Sequence, residues 1–303
     1  MMRIWHQSFT DLTVMPLYRK TLTEHAAKVM GSEASVLVHG LRPGTYAPGC
    51  APIDAIKHRY VAAALEMQVC DAAMVAQREG YDAVAIGCFF DPALRAARSL
   101  VNIPVLGLGE TCALVACSLG RKFGLVTLCA DQSADYSDMM HAYGLERRFA
   151  GAVALEPGID EFALEADEQL AQGIEARFDA ACAQVIAQGA DIIIPADGVL
   201  NEFLVRRGRL QAHGHVPVMD SLGVLFQHAA FFCTHRTHNR CRCQPQPDVP
   251  ATEPGDGGPC APICRPGATD PQLFGRSLNA PQGSRITLPN ASREPIMRCA
   301  SAA

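Results

Sequence analysis

The sequence predicts an α/β fold of two pseudo-symmetric lobes, each a parallel sheet flanked by helices, with a disordered C-terminal tail. Three observations carry that expectation. Short apolar runs alternate with amphipathic helical stretches through the first 232 of 303 residues. One strand unit recurs in the second half of that region. Composition then changes abruptly after Phe232.

Strands are expected at residues 3–8, 35–39, 82–87, 104–108, 123–128, 151–155, 191–195 and 217–220. Helical periodicity falls between them at 12–30, 58–77, 91–100, 160–187 and 198–206. Continuous apolar strands separated by helices imply parallel sheets covered on both faces. The lobes are drawn as residues 1–100, completed by about 214–232, and residues 101–213. The recurring unit is Gly80-Tyr81-Asp82-Ala83-Val84-Ala85-Ile86-Gly87-Cys88, which lies without a gap on Gly189-Ala190-Asp191-Ile192-Ile193-Ile194-Pro195-Ala196-Asp197. Each copy follows a long Ala-rich helix and precedes a Pro-Val strand, Ile103-Pro104-Val105 or Val216-Pro217-Val218. Ligands of open parallel sheets bind beyond the carboxyl ends of the strands. Cys88 and Asp197 occupy those ends, so facing lobes would aim both into one cleft.

Residues 233–303 hold 11 of the 20 prolines, six of the 13 cysteines, no lysine and one aromatic, Phe274. Too little apolar surface is available there to offset chain entropy. Loss of pattern in the middle of a helix, at SLGVLFQHAAFF, resembles a reading-frame change. Cys233, His235, His238, Cys241, Cys243, Cys260 and Cys264 have metal-like spacing, but an unselected frame rich in Arg, Pro and Cys produces such clusters by chance. No metal and no cofactor are expected.

The net charge of −5 offers no electrostatic case for nucleic acid. The first residues show no apolar run behind a basic start, and no apolar stretch is long enough to span a bilayer. Seven cysteines at irregular spacing before residue 233 fit a reducing compartment, so a cytoplasmic location is expected.

The segment Ile86-Gly87-Cys88-Phe89-Phe90-Asp91-Pro92-Ala93-Leu94, with Ile103-Pro104-Val105-Leu106-Gly107-Leu108-Gly109-Glu110, resembles the first active-site segment of hydantoin racemases. Val216-Pro217-Val218-Met219-Asp220 resembles the C-terminal strand of the same aspartate/glutamate/hydantoin racemase family. The resemblance covers roughly residues 1–232 and implies a cofactor-independent racemase acting on an amino acid or hydantoin-type carbon acid. One departure stands out. Racemases of that family carry a second cysteine where this chain has Asp197, which leaves open a single-cysteine decarboxylase, lyase or isomerase, or a silent binding protein.

Proton abstraction beside a carbonyl needs a base on one face, an acid on the other and a stabilised oxygen. Cys88 is the expected thiol, its pKa lowered by a helix beginning at Asp91-Pro92, where Phe89 and Phe90 would offer backbone N–H groups. A buried structural cysteine is the alternative. Asp197 is either the opposing acid/base or an N-cap of the 198–206 helix, which Gly198 opens among the substrate-binding positions. Ser8 and Thr10, after the first strand, resemble family hydroxyls that hold substrate, or cap the helix that follows. Thr127 ends the 123–128 strand with the same ambiguity, and Tyr136 is a further candidate for the cleft wall. The expected partner is a small carboxylate or hydantoin, with self-association left open.

Overall fold

The structure, a computed structural model, describes residues 1–165 and 168–239. The first lobe runs β1 (Met2–Gln7), α1 (Pro16–Met30), β2 (Ala34–His39), α2 (Pro52–Ile56), α3 (Arg59–Arg78), β3 (Ala83–Ile86), α4 (Leu94–Leu100) and β4 (Val105–Gly107). Its four strands are parallel in the order β2-β1-β3-β4. Successive residues of a strand face opposite sides, so Trp5 and Ile4 enter different cores. Trp5, Val84, Ile86 and Val105 pack under α3 and α4 through Leu65, Val69, Ala73 and Ala97. Ile4, Ala83 and Ala85 face a larger core that continues into the second lobe.

The second lobe runs α5 (Leu108–Leu119), β5 (Phe123–Thr127), α6 (Ser133–Ala142), β6 (Phe149–Ala154), α7 (Glu168–Ala187), β7 (Ile192–Pro195), α8 (Gly198–Arg206), β8 (Gln211–Ala212) and β9 (Val216–Pro217). Its strands are parallel in the order β6-β5-β7, and Val218 bridges in parallel to Ile193 beyond β7. This reproduces the order of the first sheet strand for strand, with β3 equivalent to β7. The repeat read from sequence is therefore a repeat of topology.

Some boundaries move. Because β4 pairs with β3, the first sheet runs past residue 100, the limit drawn from sequence. Val218 adds to the second sheet, so residues 216–218 do not complete the first lobe. That role falls to α9 (Ser221–Asn239), which packs on α1, α5, β1 and β3 and buries Leu222, Leu225 and Phe226. The helix passes Phe232 and reaches Asn239, seven residues beyond the compositional break. Residues 233–239, expected to be disordered, are therefore helical, while the rest of that tail, residues 240–303 with the cysteines from Cys241 onward, lies outside the described residues. No helix among the described residues is long and apolar enough to cross a membrane.

Candidate active site

Strand β3 ends at Ile86, and the chain turns through Gly87 to present Cys88, half-buried, at the strand's carboxyl end. The segment after it is not the helix start expected from Asp91-Pro92. Asp91 and Ala93 adopt left-handed backbone angles, φ 50° and 58°, and α4 begins only at Leu94. Asp91 instead serves the next helix in the chain. Its carboxylate accepts from the Gly109 and Glu110 N–H groups at the start of α5, at 2.9 and 2.7 Å, and from the Tyr143 hydroxyl at 2.7 Å. Burial raises Asp91 to about 7 against the pull of those three bonds.

Without a helix directly behind it, the Cys88 thiol is not lowered. Burial pushes it well above the usual thiol range, and neighbouring Asp197, Asp91 and Glu161 add to the rise. The Phe90 N–H donates to the sulphur and opposes them. Phe90 also stacks on Tyr136 at 4.4 Å between ring centroids, while Phe89 meets the same ring edge-on at 5.7 Å. The Tyr136 hydroxyl donates to the Ala196 carbonyl at 2.8 Å, fixing this second-lobe ring beside the end of β7.

Asp197 ends the equivalent strand β7 and caps α8. One carboxylate oxygen accepts from Val199 N–H at 2.8 Å and Leu200 N–H at 2.9 Å. The two readings of Asp197 are thus compatible: it caps the helix and still lines the recess that holds Cys88. Burial raises its pKa despite both N–H donors. The strand ends meet because Gly198 lacks a side chain. A Cβ there would sit 2.8 Å from the Gly87 carbonyl oxygen and 3.1 Å from the Tyr18 hydroxyl.

The recess, about 40 Å³, is further lined by Ser8, Thr10, Tyr18, Gln132 and Glu161. It shares Phe9, Ile56, Cys88, Phe90 and Gln132 with an outer chamber of about 340 Å³. That outer volume alone lies in the range of small-molecule sites. Neither Ser8 nor Thr10 caps α1, whose first N–H groups, those of Leu17 and Tyr18, donate to the Glu165 carboxylate. Ser8 hydrogen-bonds the Tyr18 hydroxyl. Thr10 is 5% exposed, and its hydroxyl has no hydrogen-bond partner among the described residues. Thr127 lies outside both spaces, and its hydroxyl donates to the Cys129 carbonyl.

Over residues 17–229 the chain matches the family model described as Asp/Glu/Hydantoin racemase. The chain belongs to that family. Among its relatives, hydantoin racemase of Rhizobium meliloti is 30% identical over 147 residues, covering 48% of this chain and 58% of the relative. Hydantoin racemase of Pseudomonas sp. (strain NS671) is 30% identical over 152 residues, covering 50% and 58%. The alignments therefore span 58% of the length of these curated relatives. Among solved structures, allantoin racemase from Klebsiella pneumoniae superposes with a TM-score of 0.62 at 24% identity, covering 77% of this chain and 88% of that one. Allantoin racemase from Pseudomonas fluorescens gives 0.60 at 22% identity, covering 82% and 98%. At these identities the structural likeness establishes the fold.

Against that racemase framework, two further groups in the site were not singled out from sequence. Glu161 is 5% exposed, lines the recess, and accepts from the Ile53 N–H at 3.2 Å. Burial first, then Asp197, raise it to about 8. Gln132 closes the short helical turn before α6 at the junction of recess and chamber. Glu161, read from sequence as part of the 160–187 helix, lies in a separate short turn, Glu161–Glu165, ahead of α7, and Gln132 belongs to no motif; both are brought in by short helical turns of the second lobe. Asn201 and Glu202, noted in sequence as polar neighbours of Asp197, lie in a buried network outside the recess lining. Its centre is His25, 2.8 Å from Glu202 and 2.9 Å from Asp220. A neutral ring can donate to only one carboxylate, so this geometry calls for imidazolium. Burial works against the charge, but the bonds to Asp220 and Glu202 prevail and raise His25 to about 10.

Proposed function

We propose that this chain interconverts the enantiomers of a hydantoin-type or amino-acid carbon acid, with Asp197 and Cys88 exchanging protons with opposite faces of one carbon. The observation that carries the reading is the meeting of the two equivalent strand ends, with both groups lining one recess at the Gly87–Gly198 contact. In one direction the Asp197 carboxylate removes the proton beside the carbonyl, and the C–H electron pair passes into the enolate. The protonated Cys88 thiol then delivers its proton to the other face. This leaves a thiolate and a protonated Asp197, the pair needed for the reverse direction.

Burial raises both groups, which keeps the thiol neutral and makes the carboxylate a stronger base. Glu161 sits against Asp197, whose charge adds to burial in raising Glu161 to about 8. These residues supply both proton-transfer roles, so the reading requires no cofactor. The names of the curated relatives, both hydantoin racemases, support a hydantoin-type substrate.

The test is incubation of each enantiomer of a 5-substituted hydantoin in D2O, following optical rotation and the α-proton signal together. Racemisation accompanied by deuterium incorporation is the expected outcome. Turnover of a prochiral diacid to a single enantiomer, with no racemisation, would replace this reading by the single-cysteine decarboxylase.

A further inference from the structure

Resting on that function, we propose that Gln132 is a substrate-binding residue whose side-chain carbonyl accepts a hydrogen bond from an N–H of a neutral ureide ring held against Cys88. Gln132 is only 8% exposed, and its Oε1 is buried without a hydrogen-bond partner among the described residues. It lines both the recess and the outer chamber, on the second-lobe wall. A buried carbonyl left unpaired costs on the order of 1–3 kcal/mol, which a ligand N–H would recover.

A second orphan faces the same recess from the first lobe. The Thr10 hydroxyl is buried and unpartnered among the described residues, and it can donate or accept. An acceptor on one wall and a hydroxyl on the other suit a ring that presents N–H and C=O groups in turn.

Charge points the same way. The recess is lined by Cys88, Asp197 and Glu161, and by no Lys, Arg or His. A substrate carboxylate seated in the recess, against Cys88, would meet carboxylates there, the cations Lys57 and Arg59 lying in the outer chamber, and this is unfavourable. An uncharged ring meets waiting acceptors. The favoured substrate is therefore the neutral ureide rather than the free amino acid.

The experiment compares wild type and Gln132→Leu on a 5-benzylhydantoin, its two ring N-methyl analogues and free phenylalanine. It reads KM and kcat for α-proton exchange in D2O, and the ligand-induced shift in Tm. Replacing an unpaired polar group by an apolar one of similar size leaves the unliganded Tm equal or higher. Gln132→Leu then raises KM for the hydantoin about tenfold, the equivalent of about 1.4 kcal/mol, with a smaller change in kcat. Wild type discriminates against one N-methyl analogue, and the variant loses that discrimination.

Unchanged KM and unchanged discrimination in Gln132→Leu would overturn the assignment while leaving the racemase reading intact. Faster exchange of phenylalanine than of the hydantoin would overturn the neutral-ring preference. A Tm shift in wild type that Gln132→Leu abolishes, with no exchange in either, supports the Gln132 contact and removes the racemase reading instead.

Discussion

Cys88 and Asp197 end equivalent strands, β3 and β7, yet the chain leaves those two ends differently. After Asp197 it enters α8 at once, and the side chain accepts from the N–H groups of the second and third residues of that helix, Val199 and Leu200. After Cys88 it runs through two left-handed residues before α4 begins, so the sulphur receives a single N–H, from Phe90. Backbone symmetry therefore does not impose chemical symmetry. Two N–H donors oppose the rise that burial gives Asp197, and a single N–H opposes it at Cys88.

The largest effect that could break this comparison is on Cys88. Cys88→Ala removes one of the two proton-transfer groups and is expected to lower turnover by about 10²–10⁴-fold, with little change in Tm. Cys112→Ala and Cys182→Ala, at buried sites, should cost stability and leave kcat near wild type. Equal losses of activity in all three would show that the cysteines matter only for packing.

Asp197→Asn sharpens the comparison from the other side. Asparagine still accepts the Val199 and Leu200 N–H groups, so helix capping and Tm are retained. Racemisation should disappear near neutral pH, and Cys88-dependent exchange of the α-proton of one enantiomer should appear only at a pH high enough to ionise the thiol. Asp197→Cys restores a thiol on each face, and racemisation should persist with the pH profiles of the two directions drawn together. A variant Asp197→Asn that racemises normally would remove Asp197 from the chemistry and leave it as a cap.

The smallest expected effect lies in stability, away from the cleft. His25 is raised from 6.5 to about 10 in the folded state. The folded chain thus holds a proton that the unfolded chain releases, and this contribution is complete below pH 6.5 and lost as pH rises toward 10. Glu161, raised to about 8, acts in the same direction up to that pH. Unfolding free energy measured by urea titration should fall by on the order of 2 kcal/mol or more between pH 7 and pH 10. His25→Gln should be less stable at pH 7 by about 3 kcal/mol, since the buried Glu202 and the half-buried Asp220 lose their cation, and its pH slope should be flatter. A wild-type stability flat across this window would place a neutral histidine between Glu202 and Asp220.

Much of the fold was legible because it rests on local pattern. Strand runs such as Ala83–Ile86 and Ile192–Pro195 are buried throughout, and that burial on both faces is what a continuous apolar run encodes. The pairing of Cys88 with Asp197 followed from their places in a repeat. The start of α4 was misplaced because Asp91-Pro92 has the local chemistry of a helix start, while Asp91 is committed to α5, eighteen residues away. Thr127 was grouped with Ser8 and Thr10 by its place at a strand end, but its hydroxyl is satisfied by the backbone two residues on. Glu161 and Gln132 carried no functional signal, because a polar residue in a helical stretch or turn reads as solvated until other segments enclose it.

By itself, the sequence determined the parallel sheets, their duplication and the two residues at equivalent strand ends, all of which follow from the order and period of apolar side chains. Tertiary structure decided the proton affinities. Whether Cys88 sits above or below its usual range depends on what desolvates it and which carboxylates approach it, and Asp91, Glu161 and Asp197 come from three separate stretches of chain. Solvent exclusion and electrostatic proximity are properties of the assembled cleft, and no local pattern records them.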